Sequence, residues 1–166
     1  MGSNTFVGRM IGAAMLDVPT YEAVEHDTTL TGQAAAVVVL GAIAAGLGTS
    51  DTVIGGTIGS LVGWFFMAGT IYVIGTQLFG ATATWGEVLR TMGFASSPSI
   101  LMILAVLPFF GWIIQAVVGL WALAAAVIAI RQALDVSTFK AILTGILGVF
   151  SWGLIGALLA GVLGAY

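Results

Sequence analysis

The residues of this chain that could perform chemistry are few, and most lie in one acidic segment. Glu22, Glu25, His26 and Asp27 offer carboxylate oxygens and an imidazole nitrogen, and Glu22 and His26 share a helix face at i and i+4. Oxygen and nitrogen donors of this kind could bind a metal ion. One histidine among acidic residues outside the apolar stretches is, however, more typical of a solvated surface. We therefore predict no metal site here.

The usual signatures of catalysis are missing from the sequence. There is no cysteine, so neither a thiolate nucleophile nor a cysteine-based metal site can form. No His-Glu-x-x-His, Gly-x-Ser-x-Gly or phosphate-binding glycine loop occurs. No acidic or basic residue falls in the middle of a long apolar stretch, where ion-coupled transporters usually have one. These absences predict a protein that is not an enzyme and has no cofactor.

The composition indicates the solvent of the chain. Of its 166 residues, 60% are hydrophobic and only 7% are charged, whereas a soluble domain has about 25% charged residues. Such a chain cannot cover itself with a water-compatible surface, so its main solvent must be lipid. The net charge of −3 also excludes a basic face for nucleic acid. We predict an all-α integral membrane protein.

The lengths of the apolar stretches predict the number of helices. One stretch, from about Trp85 to Ile130, is twice as long as the roughly 20 residues that cross a bilayer, so it must fold back. The break is Pro108-Phe109-Phe110-Gly111, because proline ends a helix and glycine permits a tight turn. We predict a transmembrane domain over residues 29–166 with about five helices. Their expected limits are 31–49, 54–78, 87–107, 111–131 and 140–164.

The cations predict the orientation of these helices. If the N-terminus is cytoplasmic, all four cations fall on the inner side and only Asp51 is charged on the outer side, as the positive-inside rule requires. The four are Arg9, Arg90, Arg131 and Lys140. The C-terminus then lies outside.

Two local signals mark where helices begin. Thr84 and Glu87 have the spacing of a capping box, with Thr84 as N-cap and Glu87 reaching back. Ser137 or Thr138 can cap the last helix in the same way. Both signals lie at the predicted inner ends of their helices.

Residues 1–28 form a cytoplasmic N-terminal segment by this reading. Its apolar residues repeat at i, i+3 and i+4, which predicts one face of a short amphipathic helix. They are Phe6, Val7, Met10, Ile11, Ala14 and Met15. A helix too short to span would lie in the interface or dock against the bundle, and we expect Phe6, Met10 and Ile11 to make that contact. Asp17-Val18-Pro19 should end it.

Small residues form two ladders with a four-residue period. One lies in the second predicted span and the other in the fifth. The first ladder consists of Gly55, Gly59 and Gly63, and the second of Gly153, Ala157 and Gly161. They could pack inside this chain's own bundle, or they could form a face for a second copy or a partner subunit.

Polar residues and tryptophans also fall inside the spans. Ser96-Ser97-Pro98-Ser99 predicts a proline kink whose freed carbonyls the hydroxyls satisfy, or else the polar wall of a substrate cavity. Gln115 and Ser151 could extend that wall. Three tryptophans fall near mid-membrane, where they could pack in the interior or contact a lipid or pigment. They are Trp64, Trp121 and Trp152.

The order and spacing of several short segments resemble the Yip-one (Ypt-interacting protein) family. The resemblance covers most of the chain. Within the family, the chain resembles the bacterial branch. The segments are Leu16-Asp17-Val18-Pro19-Thr20-Tyr21, Arg90-Thr-Met-Gly-Phe94, Pro98, Pro108-Phe-Phe-Gly111, Leu120-Trp121, Arg131-Gln-Ala-Leu-Asp135 and Lys140-Ala-Ile142.

The resemblance implies five spans, a cytosolic N-terminus and, for the eukaryotic members, binding of prenylated small GTPases. This chain lacks the Asp-Leu-Tyr-Gly-Pro motif of those members and has Phe94 in place of a tyrosine. Our leading hypothesis is a non-enzymatic scaffold or accessory subunit of the bacterial inner membrane. Its partners would be lipid and other membrane subunits or a second copy. The alternative is a small transporter or channel-like protein with a cavity at the Ser96–Ser99 kink.

Overall fold

The structure, a computed structural model, describes residues 5–49 and 52–163, and the side chains in these ranges except at 155–156 and 158–163. All elements of the described residues are helical, which confirms the predicted fold class. In chain order the α-helices are α1 (Phe6–Ala14), α2 (Val18–His26), α3 (Thr31–Thr49), α4 (Val53–Phe79), α5 (Trp85–Ala95), α6 (Gly111–Ala133) and α7 (Thr138–Leu163). Two 3-10 segments, Thr28–Leu30 and Ser97–Val106, precede α3 and follow α5.

Four helical segments of the described residues are long and apolar enough to cross a membrane. They are Thr28–Thr49, Val53–Phe79, Trp85–Val106 and Gly111–Ala133. The apolar part of α7 that the structure describes, Thr138–Leu154, is shorter. The helix limits agree with the predicted spans to within a few residues, because the apolar stretches and their breaks determine both.

Local capping chemistry explains the connection between α4 and α5. Gly80 ends α4 in the left-handed conformation at φ 67°, which glycine adopts without steric cost. The predicted capping box at α5 is confirmed: the Thr84 hydroxyl accepts from the Glu87 N–H at 3.4 Å, and the Glu87 carboxylate accepts from the Thr84 N–H at 2.7 Å. At the start of α7, the Ser137 hydroxyl accepts from the Lys140 N–H at 3.4 Å.

The third span is not one kinked α-helix. Its α-helical part ends at Ala95, and the chain continues as a 10-residue 3-10 segment with Pro98 in its first turn. Proline lacks the N–H that an α-helix needs, but it fits the first turn of a new helical segment. The segment then packs closely along α3. A 3-10 run of this length is uncommon, and no residue pattern predicted it.

Small residues on α3 provide the closest helix contacts in the bundle. A Cβ added to Gly41 would lie 3.1 Å from the Cβ of Ser99, and one added to Gly48 would overlap the Met102 carbonyl. Gly93 of α5 meets Ala34 in the same way, with its added Cβ 2.7 Å from that of Ala34. Ala34, Gly41 and Gly48 recur every seven residues. This spacing is the sequence signal that could have identified the contact face of α3.

The N-terminal segment packs into the same core as the spans. Ala13, Tyr21 and Val24 are fully buried, in a cluster with α3, α5 and α6. Phe6 and Met10 pack against this cluster, whereas Ile11 is exposed.

Candidate association surface and membrane-level cleft

The glycine ladder of α4 lies on an open face. Among the described residues, a Cβ added to Gly59 or Gly63 would meet nothing within 4 Å, and one added to Gly55 would meet Thr52 at the start of the same helix. Ile58 and Val62, on the neighbouring positions, are also exposed. Gly59 and Gly63 therefore make no close helix contact with the described part of this chain. Such contacts are made by the small residues of α3.

The described part of the ladder on α7 is similarly open. A Cβ added to Gly153 would meet nothing within 4 Å, and Ala157 is exposed. The surroundings of Gly161 lie outside the described side chains. Val149, Phe150 and Leu154, also on α7, are exposed as well.

A cleft with a volume of about 380 Å³ lies between α3, α4 and the third span. Gly41, at the middle of α3, forms part of its floor, and three hydroxyls line it. Its other side chains are mostly small or apolar. The residues that line it are Val38, Gly41, Ala42, Ala45, Ser60, Gly63, Trp64, Met67, Met92, Ser96, Ser99 and Trp152.

The serine-proline segment is only partly in this cleft. Ser96 and Ser99 line it, whereas Ser97 is buried and donates its hydroxyl to the Phe94 carbonyl at 2.6 Å. Pro98 is also buried. Gln115 is exposed on α6 and does not line the cleft, so the predicted extension by Gln115 is wrong. Ser151 lines a different groove, next to Phe65 and Trp85.

Two of the mid-span tryptophans make long-range hydrogen bonds. The Trp64 indole donates to the Leu89 carbonyl at 2.9 Å, and the Trp121 indole donates to the Ala14 carbonyl at 2.6 Å. Trp152 instead stacks on Phe66, with 6.1 Å between ring centroids. Trp64 and Trp121 thus connect elements within the protein, as interior packing predicts.

Arg90 has a role that sequence reasoning missed. Its side chain is buried, with 5% exposed, and its guanidinium donates to the carbonyls of Val24 and Glu25. These carbonyls belong to the last turn of α2, which has no intrahelical donors for them. Arg90 therefore caps a helix far away in sequence, and a single arginine in a span gives no sign of that partner.

The acidic segment lies next to this arginine. Burial, followed by the nearby carboxylate of Asp135, raises the pKa of Glu25 from 4.5 to about 7. The backbone carbonyl of Glu22, which lies 2.8 Å from the His26 Nδ1, raises the pKa of His26. Among the described residues, no group of three or more histidine or acidic side chains could hold a metal ion.

These helices define the class of the molecule: an all-helical integral membrane protein. A family model described as the Yip1 domain matches residues 5–162 of the chain. The chain therefore belongs to the Yip1 domain family, as its residue pattern predicted. No curated protein and no solved structure matches it.

Proposed function

We propose that this protein is a non-enzymatic membrane protein that works through helix-face association, as a scaffold, an accessory subunit or a membrane-organising protein. The observation that supports this is the face of α4 where Gly59 and Gly63 have no described neighbour within 4 Å of an added Cβ. Glycines one turn apart let a second helix approach closely, so that backbone and van der Waals contacts hold the pair together. Gly55 extends this face, and Gly153 offers a similar one on α7.

The proposed partner is another membrane subunit or a second copy of the chain, in the bacterial plasma membrane. We do not propose a small GTPase, because the Asp-Leu-Tyr-Gly-Pro motif is absent. Lipid fills the face when no partner is bound.

The substitution Gly59→Leu tests this proposal. Because no described residue opposes a side chain there, we expect the variant to fold with an unchanged unfolding midpoint. It should lose its partners or its self-association in a mass measurement after purification in mild detergent. The control is Leu61→Ile on the same helix, which should behave like the parent. If Gly59→Leu keeps the mass of the parent assembly, this face does not mediate association.

The cleft favours a second candidate function, a small transporter or channel-like protein. The cleft places the hydroxyls of Ser60, Ser96 and Ser99 at the level of Gly41, the middle of α3. Polar groups at this depth normally face a cavity or a protein neighbour. A transport path would need water to reach them.

Cysteine labelling distinguishes the two functions, since the chain has no native cysteine. A water-filled path would make Ser96→Cys and Ser99→Cys react quickly with a small polar thiol reagent. Ser97→Cys is the matched control, because its side chain is buried beside the cleft without lining it. Protection of all three positions would support the scaffold. Fast labelling at 96 and 99, slowed by an added solute, would support the transporter.

A further inference from the structure

The structure places the end of α1 deep within the level of the spans. The Ala14 carbonyl accepts a hydrogen bond from Trp121, and Trp121 lies near the middle of the 23-residue α6. It is 12 residues before the last residue of α6, Ala133, which corresponds to about 18 Å along an α-helix. If α6 crosses the bilayer, the end of α1 lies near its midplane.

Side chains from both arms of the α1–α2 hairpin reach the level where α3 begins and α6 ends. Near the start of α1, Arg9 donates to Gln33, the third residue of α3, at 3.2 Å. In α2, Glu22 accepts from Gln132, next to the end of α6, at 3.2 Å. The chain therefore enters at one membrane face, turns near the midplane and returns to the same face.

The turn of the hairpin satisfies its own backbone groups, as a turn in hydrocarbon must. The N–H groups of Met15, Leu16 and Asp17 donate to the carbonyls of α1 at 2.8–3.1 Å. Leu16 adopts φ 62°, the left-handed conformation that ends a helix in a Schellman motif. The Asp17 carboxylate accepts from the N–H and the hydroxyl of Thr20 at 3.1 and 2.6 Å. The Tyr21 hydroxyl donates to the Ala13 carbonyl at 3.0 Å.

One stripe of α1 faces away from the protein. Val7, Ile11 and Met15 are 60%, 55% and 74% exposed, and they recur at every fourth residue. The stripe ends next to Ala14, whose carbonyl accepts from Trp121 of α6, and Leu120 of the same helix is 70% exposed.

We propose that α1 and α2 form a re-entrant hairpin whose Val7–Ile11–Met15 stripe contacts the hydrocarbon of the bilayer. The hairpin is neither a cytoplasmic segment nor a helix lying flat in the interface. Its depth should increase along α1, from Val7 to Met15, whereas a helix lying flat would keep these three side chains at one depth.

Single-cysteine spin labels in proteoliposomes test this geometry. Labels at Val7, Ile11 and Met15 are compared with a label at Leu120 for mid-span lipid and one at Thr82, an exposed residue between α4 and α5, for water. Collisions with oxygen report hydrocarbon, and collisions with a polar nickel chelate report water. All five side chains are exposed, so labelling should leave the fold intact.

We expect the oxygen-to-nickel collision ratio to rise severalfold from Val7 to Met15 and to approach the value at Leu120. Equal ratios at the three positions would show a flat helix and overturn the proposal. A ratio at Met15 closer to that of Thr82 would place the hairpin in water and overturn it too. Exclusion of both reagents at Met15 would show a protein partner in place of lipid, which also contradicts it.

Discussion

Arg90 shows how one side chain can join two elements that are distant in sequence. Its guanidinium supplies donors to Val24 and Glu25 at the end of α2, where a helix normally leaves carbonyls without partners. Lysine could not reproduce this arrangement, because its single ammonium lacks the planar array of donors of arginine. Arg90 thereby fixes the end of the hairpin against α5.

We predict that Arg90→Met lowers the free energy of unfolding by about 1–3 kcal/mol, because buried carbonyls lose their donors. The measurement is the unfolding midpoint in mild detergent. Arg131→Met, which removes an exposed cation, is the control and should change the midpoint little. Equal midpoints for the parent and Arg90→Met would contradict the capping role.

Glu25 should make stability depend on pH. Its pKa is raised from 4.5 to about 7 in the folded protein, so the folded state binds more protons than the unfolded state between these values. Stability should therefore fall as pH rises from 4.5 to 7. Arg90, His26, Glu22, Glu87 and Asp135 surround this segment, and the raised pKa of His26 continues the fall above its usual value of 6.5.

Glu25→Gln should flatten the dependence between pH 4.5 and 7, as measured by the unfolding midpoint across that range. His26→Gln is the comparison variant: it should remove the fall above pH 6.5 and, because His26 lowers the pKa of Glu25, should keep or enlarge the fall at lower pH. If the unfolding midpoint of the parent rose between pH 4.5 and 7, the raised pKa of Glu25 would not control stability there.

Capping was predictable at the scale of residues, but long-range partners were not. Thr84 and Glu87 lie three positions apart, and the backbone geometry of a helix start dictates their contact whatever the rest of the fold does. Arg90 and Val24 lie in different elements, and only the packing of α2 against α5 brings them together. The pKa of Glu25 depends on the same packing.

At the scale of elements, the glycines of α3 and α4 differ in a way that composition does not show. Both helices carry small residues at regular spacing, yet only those of α3 meet the backbone of a neighbouring segment. Spacing indicates that a helix can be approached closely. Whether the approaching helix belongs to the same chain depends on the tertiary arrangement, which the sequence pattern does not encode.

We predict that Gly48→Leu destabilises the fold by about 1–3 kcal/mol or prevents it, because a side chain there overlaps the Met102 carbonyl and overpacks the contact. Gly32→Leu is the control on the same helix, since an added Cβ at Gly32 meets nothing within 4 Å. The readouts are yield of folded protein and unfolding midpoint. Similar behaviour of the two variants would show that α3 is not closely packed at Gly48.

The limits of the helices were predictable for an equally physical reason. A span ends where the apolar stretch ends or where proline and glycine interrupt it, and both are local. The change from α-helix to 3-10 helix after Ala95 was not predictable, because it depends on how the third span fits along α3. The hydroxyls of the serines near Pro98 gave only an expected kink.

At the scale of the whole molecule, the four cations lie near the same ends of the helices. Arg9 bonds to the start of α3, and the Lys140 ammonium at the start of α7 lies 5.9 Å from the ring centroid of Phe79 at the end of α4. This arrangement supports the predicted cytoplasmic N-terminus.

Single cysteines at Thr82 and Val136 should react with an impermeant maleimide only from the cytoplasmic side. A cysteine at Thr52, before α4, should react only from outside. The measurement is labelling in intact cells compared with inverted membrane vesicles. Labelling of Thr82 and Val136 from opposite sides would contradict the common end that α4, α5, α6 and α7 share.

The 3-10 segment also has a consequence for bilayer thickness. A 3-10 helix rises about 2.0 Å per residue and an α-helix about 1.5 Å, so the 10 residues of Ser97–Val106 gain about 5 Å. An α-helix of the same residues would be shorter by that amount, and the third span would cover less of the hydrocarbon. The match of the third span to the hydrocarbon thickness therefore depends on the pitch of one segment as much as on its number of residues.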